Sequence, residues 1–217
     1  MPTKHHLPPE WLMDYAAGAL SEAGSVMVAS HLSLCPTCRC TLGQMEAAGG
    51  ALLDSTEPVP VSESCHQKMM AMIEAEKAPC LAAPASPSSL CRTLPAPIRA
   101  VAGCGAGELR FQKVTASIER VILTTKDTAT LQIVRMKAGS TLPRHSHDGH
   151  EITLVLGGTL RDDGQLYRRG DVMACEAGLV HSPVVGEAED CLCLVMTDAP
   201  IRLTGFWGRV LGRLRGF

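Results

Sequence analysis

The run His31-x-x-x-Cys35-x-x-Cys38 constrains what this chain can fold into more than any other stretch, and a histidine pair, His5 and His6, precedes it. Three nitrogen and sulfur donors within eight positions, with a fourth upstream, form the donor set of a tetrahedral structural zinc site. A helix reaching about Leu34 puts His31 in its last turn and Cys35 one turn further on. Pro36 disfavours helical geometry at Cys35, so the chain breaks there and a new helix starts with Cys38 in its first turn. A metal held between them clamps the angle of the two helices. Cys35 and Cys38 also have the spacing of a redox dithiol. Zinc loss and disulfide formation can then be one event, with Cys40 as a further nearby thiol.

Around this run the first 77 residues read as short helices. Trp11, Leu12, Tyr15 and Ala16 recur at helical spacing after Pro8 and Pro9, and Gly18 ends the pattern. Ser21 is placed to cap a second helix. The third helix runs from Pro36 through Met45 to an end at Gly49 and Gly50. Ser62 caps a fourth helix containing Met69, Met70, Met72 and Ile73. Residues 78–97, rich in Ala, Pro and Ser, read as a linker. Beyond it the pattern changes to Val-, Ile-, Leu- and Thr-rich stretches at 117–124, 129–136, 151–160, 166–175 and 190–197. Turn signals such as Asp162-Asp163-Gly164 separate them, which predicts an antiparallel sandwich or barrel.

The β-rich half contains a second donor constellation. Gly139-x5-His145-x-His147-x3-Glu151-x5-Gly157 is followed by Gly170-x7-Gly178-x2-His181. On an extended strand His145 and His147 project from one face, and Glu151 opens the next strand. His181 comes from an antiparallel neighbour. Three imidazoles and a carboxylate around an open position suit Zn, Fe, Mn or Ni. His150 is out of phase with these donors and reads as exposed or as a partner of a ligand. Asp171 and Asp190 read as turn residues rather than acid–base groups.

Two resemblances follow from these motifs. The His31-x-x-x-Cys35-x-x-Cys38 run with its upstream histidine resembles the zinc-binding anti-sigma domain, over about residues 1–77. Lys4-His5-His6 and Ala29-Ser30-His31-Leu32-Ser33-Leu34-Cys35 are similar to the ChrR branch of that family. This resemblance implies His6 as the remote ligand, with His5 as the alternative. It also implies a partner, a sigma factor of the extracytoplasmic-function type, which such domains wrap and keep from RNA polymerase. The second constellation resembles the two cupin motifs, over about residues 98–200, with Glu176 where the second motif usually has proline. It implies a compact antiparallel β-barrel holding a divalent metal, taken as Zn2+, on His145, His147, Glu151 and His181.

The expected architecture is therefore α + β in two domains: a helical zinc-binding anti-sigma domain (1–77), a linker (78–97), a cupin β-barrel (98–200) and a basic amphipathic C-terminal segment (201–217). Residues 1–77 carry four Lys/Arg against nine Asp/Glu, a charge of −5, and the remainder carries +3. An acidic front half argues against direct nucleic-acid binding and suits a basic protein partner; the resemblance implies a 1:1 heterodimer with the sigma factor. No apolar run approaches the roughly 18 residues of a membrane span, and the N-terminus is not a signal peptide. The chain is thus expected in the cytoplasm, with its ten cysteines as ligands or buried thiols. The resemblance implies a non-enzymatic anti-sigma factor whose cupin senses oxidative stress, singlet oxygen or organic peroxide, and triggers release. The alternative is a metal-dependent cupin dioxygenase or isomerase with an accessory zinc domain; no acid or base beyond the ligands recommends it.

Overall fold

The computed structural model of the chain describes residues 2–75, 89–103, 109–123, 125–126, 128–199 and 201–203. Its first half is helical: α1 (Pro9–Ala16), α2 (Glu22–Leu32), α3 (Pro36–Asp54), α4 (Glu63–Ala75), α5 (Ser89–Thr93) and α6 (Ala96–Val101). Gly18, at φ +67°, ends α1, and the Ser21 hydroxyl accepts the Gly24 N–H at 3.1 Å to start α2. Cys35 sits between α2 and α3 in extended geometry, φ −110° and ψ 104°, followed by Pro36 as the first helical residue.

The third helix corrects one expectation. It passes through Gly49 and Gly50 and ends only at Asp54. Neither glycine has a positive φ. Each costs the helix about 1 kcal/mol relative to Ala, and the strong formers Ala47, Ala48, Ala51, Leu52 and Leu53 on either side outweigh that cost. α5 and α6 occupy the described end of the segment expected as linker. The C-terminal basic segment beyond residue 203 lies outside the described residues.

The second half is antiparallel throughout. One six-stranded sheet has the order β1 (Gln112–Lys113), β2 (Ile118–Leu123), β3 (Thr130–Met136), β10 (Cys191–Thr197), β5 (Glu151–Gly157), β8 (Val172–Cys175). A three-stranded sheet orders β7 (Gln165–Arg168), β6 (Thr159–Asp162) and β9 (Val184–Val185), and β4 (His145–His147) pairs with β11 (Ile201–Leu203). Among the described residues these ladders do not join into one closed ring. Two expected strands are each split by a glycine with positive φ, Gly158 at +72° and Gly170 at +94°. The β6–β7 hairpin turns on Asp163 and Gly164, both at positive φ, as the Asp-Asp-Gly sequence demands.

Both faces of the large sheet are covered. Leu131, Ile133, Ile152, Leu154 and Leu194 pack in one cluster with Met27, Val28 and Ile98 of the helices. Val134, Val155, Met173 and Cys193 face the smaller sheets, against Leu160 and Val185. Double-sided burial explains why β3, β5 and β10 read as nearly unbroken apolar runs rather than alternating ones. The helical half and the sheet thus share a core. Leu154→Ala is expected to cost about 2–5 kcal/mol by chemical denaturation, whereas Leu52→Ala, at a position 70% exposed, should stay within about 0.5 kcal/mol.

Candidate metal centres

At the α2–α3 junction four side chains bring one donor atom each within 4.8 Å of one another: His6, His31, Cys35 and Cys38. His31 Nε2 lies 3.2 Å from Cys38 Sγ, and His6 Nδ1 lies 3.3 Å from Cys35 Sγ and 3.6 Å from Cys38 Sγ. Ligands at Zn–N and Zn–S bond lengths on a tetrahedron stand about 3.5 Å apart, which matches these separations. His5 is not part of the group; its ring packs on Tyr167 with centroids 4.4 Å apart. Cys40 is exposed and Cys35 and Cys38 are buried.

Protonation fits a cation here. His31 Nδ1 faces the Gly170 carbonyl at 2.9 Å, an acceptor only, so the proton sits on Nδ1 and Nε2 offers a bare lone pair. Burial pushes His31 down to about 4, which keeps it neutral. Burial also acts to raise Cys35, but hydrogen bonds from the Thr3 hydroxyl (3.0 Å) and the Cys38 N–H outweigh it, and the thiol shifts down. Cys38 is pushed up to about 11, by burial first and then by Cys35. One thiol of the pair is therefore poised to ionise ahead of the other.

The second group gathers His145, His147, Glu151 and His181, all buried. β4 presents His145 and His147 from one face, as period two requires. His181 is brought alongside by an isolated antiparallel bridge, its N–H bonded to the His145 carbonyl at 3.0 Å and its carbonyl to the His145 N–H at 3.1 Å. Glu151 opens β5, paired with Cys175 of β8 and Thr197 of β10.

Two imidazole nitrogens, on His145 and His181, meet with their protons held on the far side of each ring. His145 Nδ1 donates to the Pro143 carbonyl at 2.7 Å, and His181 Nδ1 donates to Asp162 Oδ2 at 2.9 Å. Their Nε2 atoms are therefore both bare, yet stand 3.0 Å apart; His147 Nε2 is 3.1 Å from His181 Nε2 and 3.6 Å from Glu151 Oε2. Lone pairs at such distances repel unless a cation lies among them. Nitrogen ligands at about 2.1 Å and right angles would stand about 3.0 Å apart, so the separations of His145 and His147 from His181 match neighbouring positions around one ion. Burial pushes His147 down to about 4 and lowers His145, leaving both neutral, and raises Glu151 to about 7. His147 Nδ1 is buried with no hydrogen-bond partner among the described residues.

Sequence reasoning missed the groups behind the ligands. Asp162, the last residue of β6, holds His181 in the tautomer that points Nε2 inward. Cys175, pushed up to about 12 by burial and then by the charges of Glu151 and Asp162, lies 3.7 Å from the same ring. The Asp162-Asp163-Gly164 turn was visible, but its tie to a residue 19 positions on was not. His150 is exposed and pairs with Asp198 at 3.1 Å. Asp190 serves a turn, accepting the Ala138 N–H at 3.0 Å. Asp171 does more than serve its turn, as described below.

A helical His/Cys module packed on an antiparallel β half with a three-histidine, one-glutamate group defines the class: a protein with two separate donor groups, each able to hold a metal ion. Residues 10–39 match a family of zinc fingers described as putative, and residues 100–200 match the ChrR cupin-like domain. The chain is 37% identical over 207 residues to the anti-sigma-E factor ChrR of Cereibacter sphaeroides, covering 95% of each. It also matches the crystal structure of Rhodobacter sphaeroides SigE in complex with the anti-sigma ChrR, at 34% identity, covering 90% of this chain and 99% of that one, with a TM-score of 0.75. The chain belongs to the ChrR family of anti-sigma factors.

Three measurements test the β-domain centre. Below about pH 7 a cation must displace the Glu151 proton, so affinity for Zn2+ should rise with pH up to about 7, where His145 and His147 are already neutral. Calorimetry of metal-free protein in buffers of different ionisation enthalpy should detect the released proton below that pH. Asp162→Ala should weaken metal binding at this centre about 10–100-fold.

Proposed function

We propose that this protein is a cytoplasmic anti-sigma factor that sequesters an extracytoplasmic-function sigma factor, 1:1, through a zinc-dependent unit spanning residues 1–77. In this reading His6, His31, Cys35 and Cys38 hold Zn2+. His145, His147, Glu151 and His181 hold a divalent metal, taken as Zn2+, in a β domain that senses oxidative stress and triggers release. Zinc fixes the α2–α3 angle and contributes folding free energy outright, since a preformed site does not exist in the unfolded chain.

The observation that carries the proposal is an apolar surface that the described residues leave exposed. From the end of α3 through α4, Leu52, Leu53, Val59, Val61, Met69, Met70, Met72 and Ile73 are all exposed, at 43% or more. α4 contains no buried residue. A contiguous helix with Met, Ile and no core of its own is a docking element for another protein. Methionine side chains adapt to irregular partner surfaces. The −5 charge of residues 1–77 favours a basic partner and speeds its approach. Membership of the ChrR family supplies the class of that partner. No helix among the described residues is long and apolar enough to cross a membrane.

Transcription by reconstituted RNA polymerase with the cognate sigma factor tests this. The full chain and a fragment ending at residue 77 should both inhibit. Cys38→Ala should abolish inhibition, and Met70→Asp together with Ile73→Asp should weaken it at least tenfold with zinc still bound. Inhibition by neither the full chain nor the fragment, with the protein folded and zinc-loaded, overturns the proposal. His145→Ala combined with Glu151→Ala should leave inhibition intact but remove the response to singlet oxygen or organic peroxide.

A further inference from the structure

The N-terminal donor group is not finished by its own helices. The turn between β7 and β8, residues 169–171 of the β domain, lies directly behind it. The Gly170 carbonyl, on a residue at φ +94°, accepts the Nδ1–H of His31 at 2.9 Å. Asp171, 2% exposed, turns one carboxylate oxygen to the N-terminal arm, accepting the Lys4 N–H at 2.6 Å and the His5 N–H at 3.1 Å. Its other oxygen accepts the Arg168 N–H at 2.8 Å, which fixes the carboxylate to its own turn. The Val172 N–H, first residue of β8, donates to the His5 carbonyl at 3.1 Å. The arm is thus pinned at residues 4 and 5, immediately before His6. Thr3, whose hydroxyl bonds Cys35 Sγ, packs so closely on Gly170 that a Cβ there would lie 2.6 Å from its methyl.

We infer that the β7–β8 turn is a structural part of the N-terminal zinc centre. In it Asp171 is the positioning residue for the His6 arm and the Gly170 carbonyl orients His31, so the β domain sets how firmly that centre keeps its ion. The inference rests on the reading of His6, His31, Cys35 and Cys38 as a zinc site. Two of those four donors are aimed by a segment more than 130 positions from either of them in sequence. Groups that orient metal ligands in this way typically change affinity 10–100-fold when removed.

The turn also has a short mechanical link to the other centre. β8 is four residues long, about 13 Å at strand rise. It begins at Val172, bonded to the arm, and ends at Cys175, which pairs with Glu151 and lies 3.7 Å from His181. A shift of β8 that follows a change at the Glu151–His181 end moves the carboxylate and carbonyl that hold His6 and His31. If the two centres share this element, occupancy of one changes the affinity of the other, and by the same factor in both directions.

The test uses the full chain loaded with zinc at both centres. Zinc release to a chromogenic chelator is followed by absorbance, and alkylation of Cys35 and Cys38 is followed by mass spectrometry, which assigns the released ion to the N-terminal centre. Asp171→Ala is expected to speed release from Cys35 and Cys38, and their alkylation, about 10–100-fold while the β-domain ion stays bound. Asp171→Asn, which keeps an oxygen for the Lys4 and His5 amides, should fall between it and the unaltered chain, and carries the test if Asp171→Ala does not fold. Asp190→Ala, a change of equal chemistry at a carboxylate that accepts the Ala138 N–H rather than an amide of the arm, should not alter Cys35 and Cys38 alkylation. Release and alkylation at the unaltered rate in both Asp171 variants overturns the inference. Alkylation of the unaltered chain that ignores added zinc overturns instead the zinc reading on which it rests.

Discussion

Both nitrogens of the His31 ring are committed, and in opposite directions. Nε2 points at the thiols of the α2–α3 junction and Nδ1 at a carbonyl of the β domain. Because that carbonyl can only accept, the ring has one tautomer available, and the tautomer decides that the thiol side sees a lone pair rather than a proton. Everything else at the junction follows from satisfying that lone pair. The Cys35 break, the Pro36 restart and the arm carrying His6 bring sulfur and nitrogen to where a cation can share them. The same logic recurs at His145 and His181, whose outer nitrogens are spoken for by Pro143 and Asp162. In both places the group behind the ring, rather than the ring itself, turns a lone pair toward the other donors.

Burial on both faces of the large sheet makes such long-range aiming possible. Met27 and Val28 of α2 pack in one cluster with Leu154 and Leu194 of β5 and β10. α2 therefore rides on the sheet whose neighbouring strand, β8, leads from the turn behind His31. Close-packed interiors transmit displacement because they have few voids to absorb it. The opposite face of the same sheet holds Val155, Met173 and Cys193, in the interior that also contains Glu151. One layer of strands is thus the floor of one centre and the wall of the other.

What could be read from the chain alone was what lies close together along it. His31, Cys35 and Cys38 span eight positions, and His145, His147 and Glu151 span seven, so spacing sufficed for both sets. The strand cores were legible from their Val and Ile content, and Ser21 and Gly18 from cap and stop chemistry. Gly49 and Gly50 misled because glycine ends a helix only where the backbone turns left-handed, which neither does. Gly158 and Gly170 do turn, and each broke a run that composition alone had joined. Asp162 and Asp171 were hidden for a different reason: a carboxylate in a turn carries no mark of the distant ring or arm it will meet. Their roles exist only in the folded register of β6 through β8.

The bare face of α4 has a consequence for the protein when it is alone. Eight large apolar side chains held in water, four of them on α4 and the rest on the end of α3 and the segment between, give the free chain a standing reason to associate with anything complementary, copies of itself included. Its effective concentration as an inhibitor is then smaller than its total concentration, and the gap widens as the chain accumulates. A cell that makes more of it than of its partner gains little extra inhibition and acquires a sticky surplus. Matched synthesis of the two chains follows as a requirement of surface chemistry before it is one of regulation.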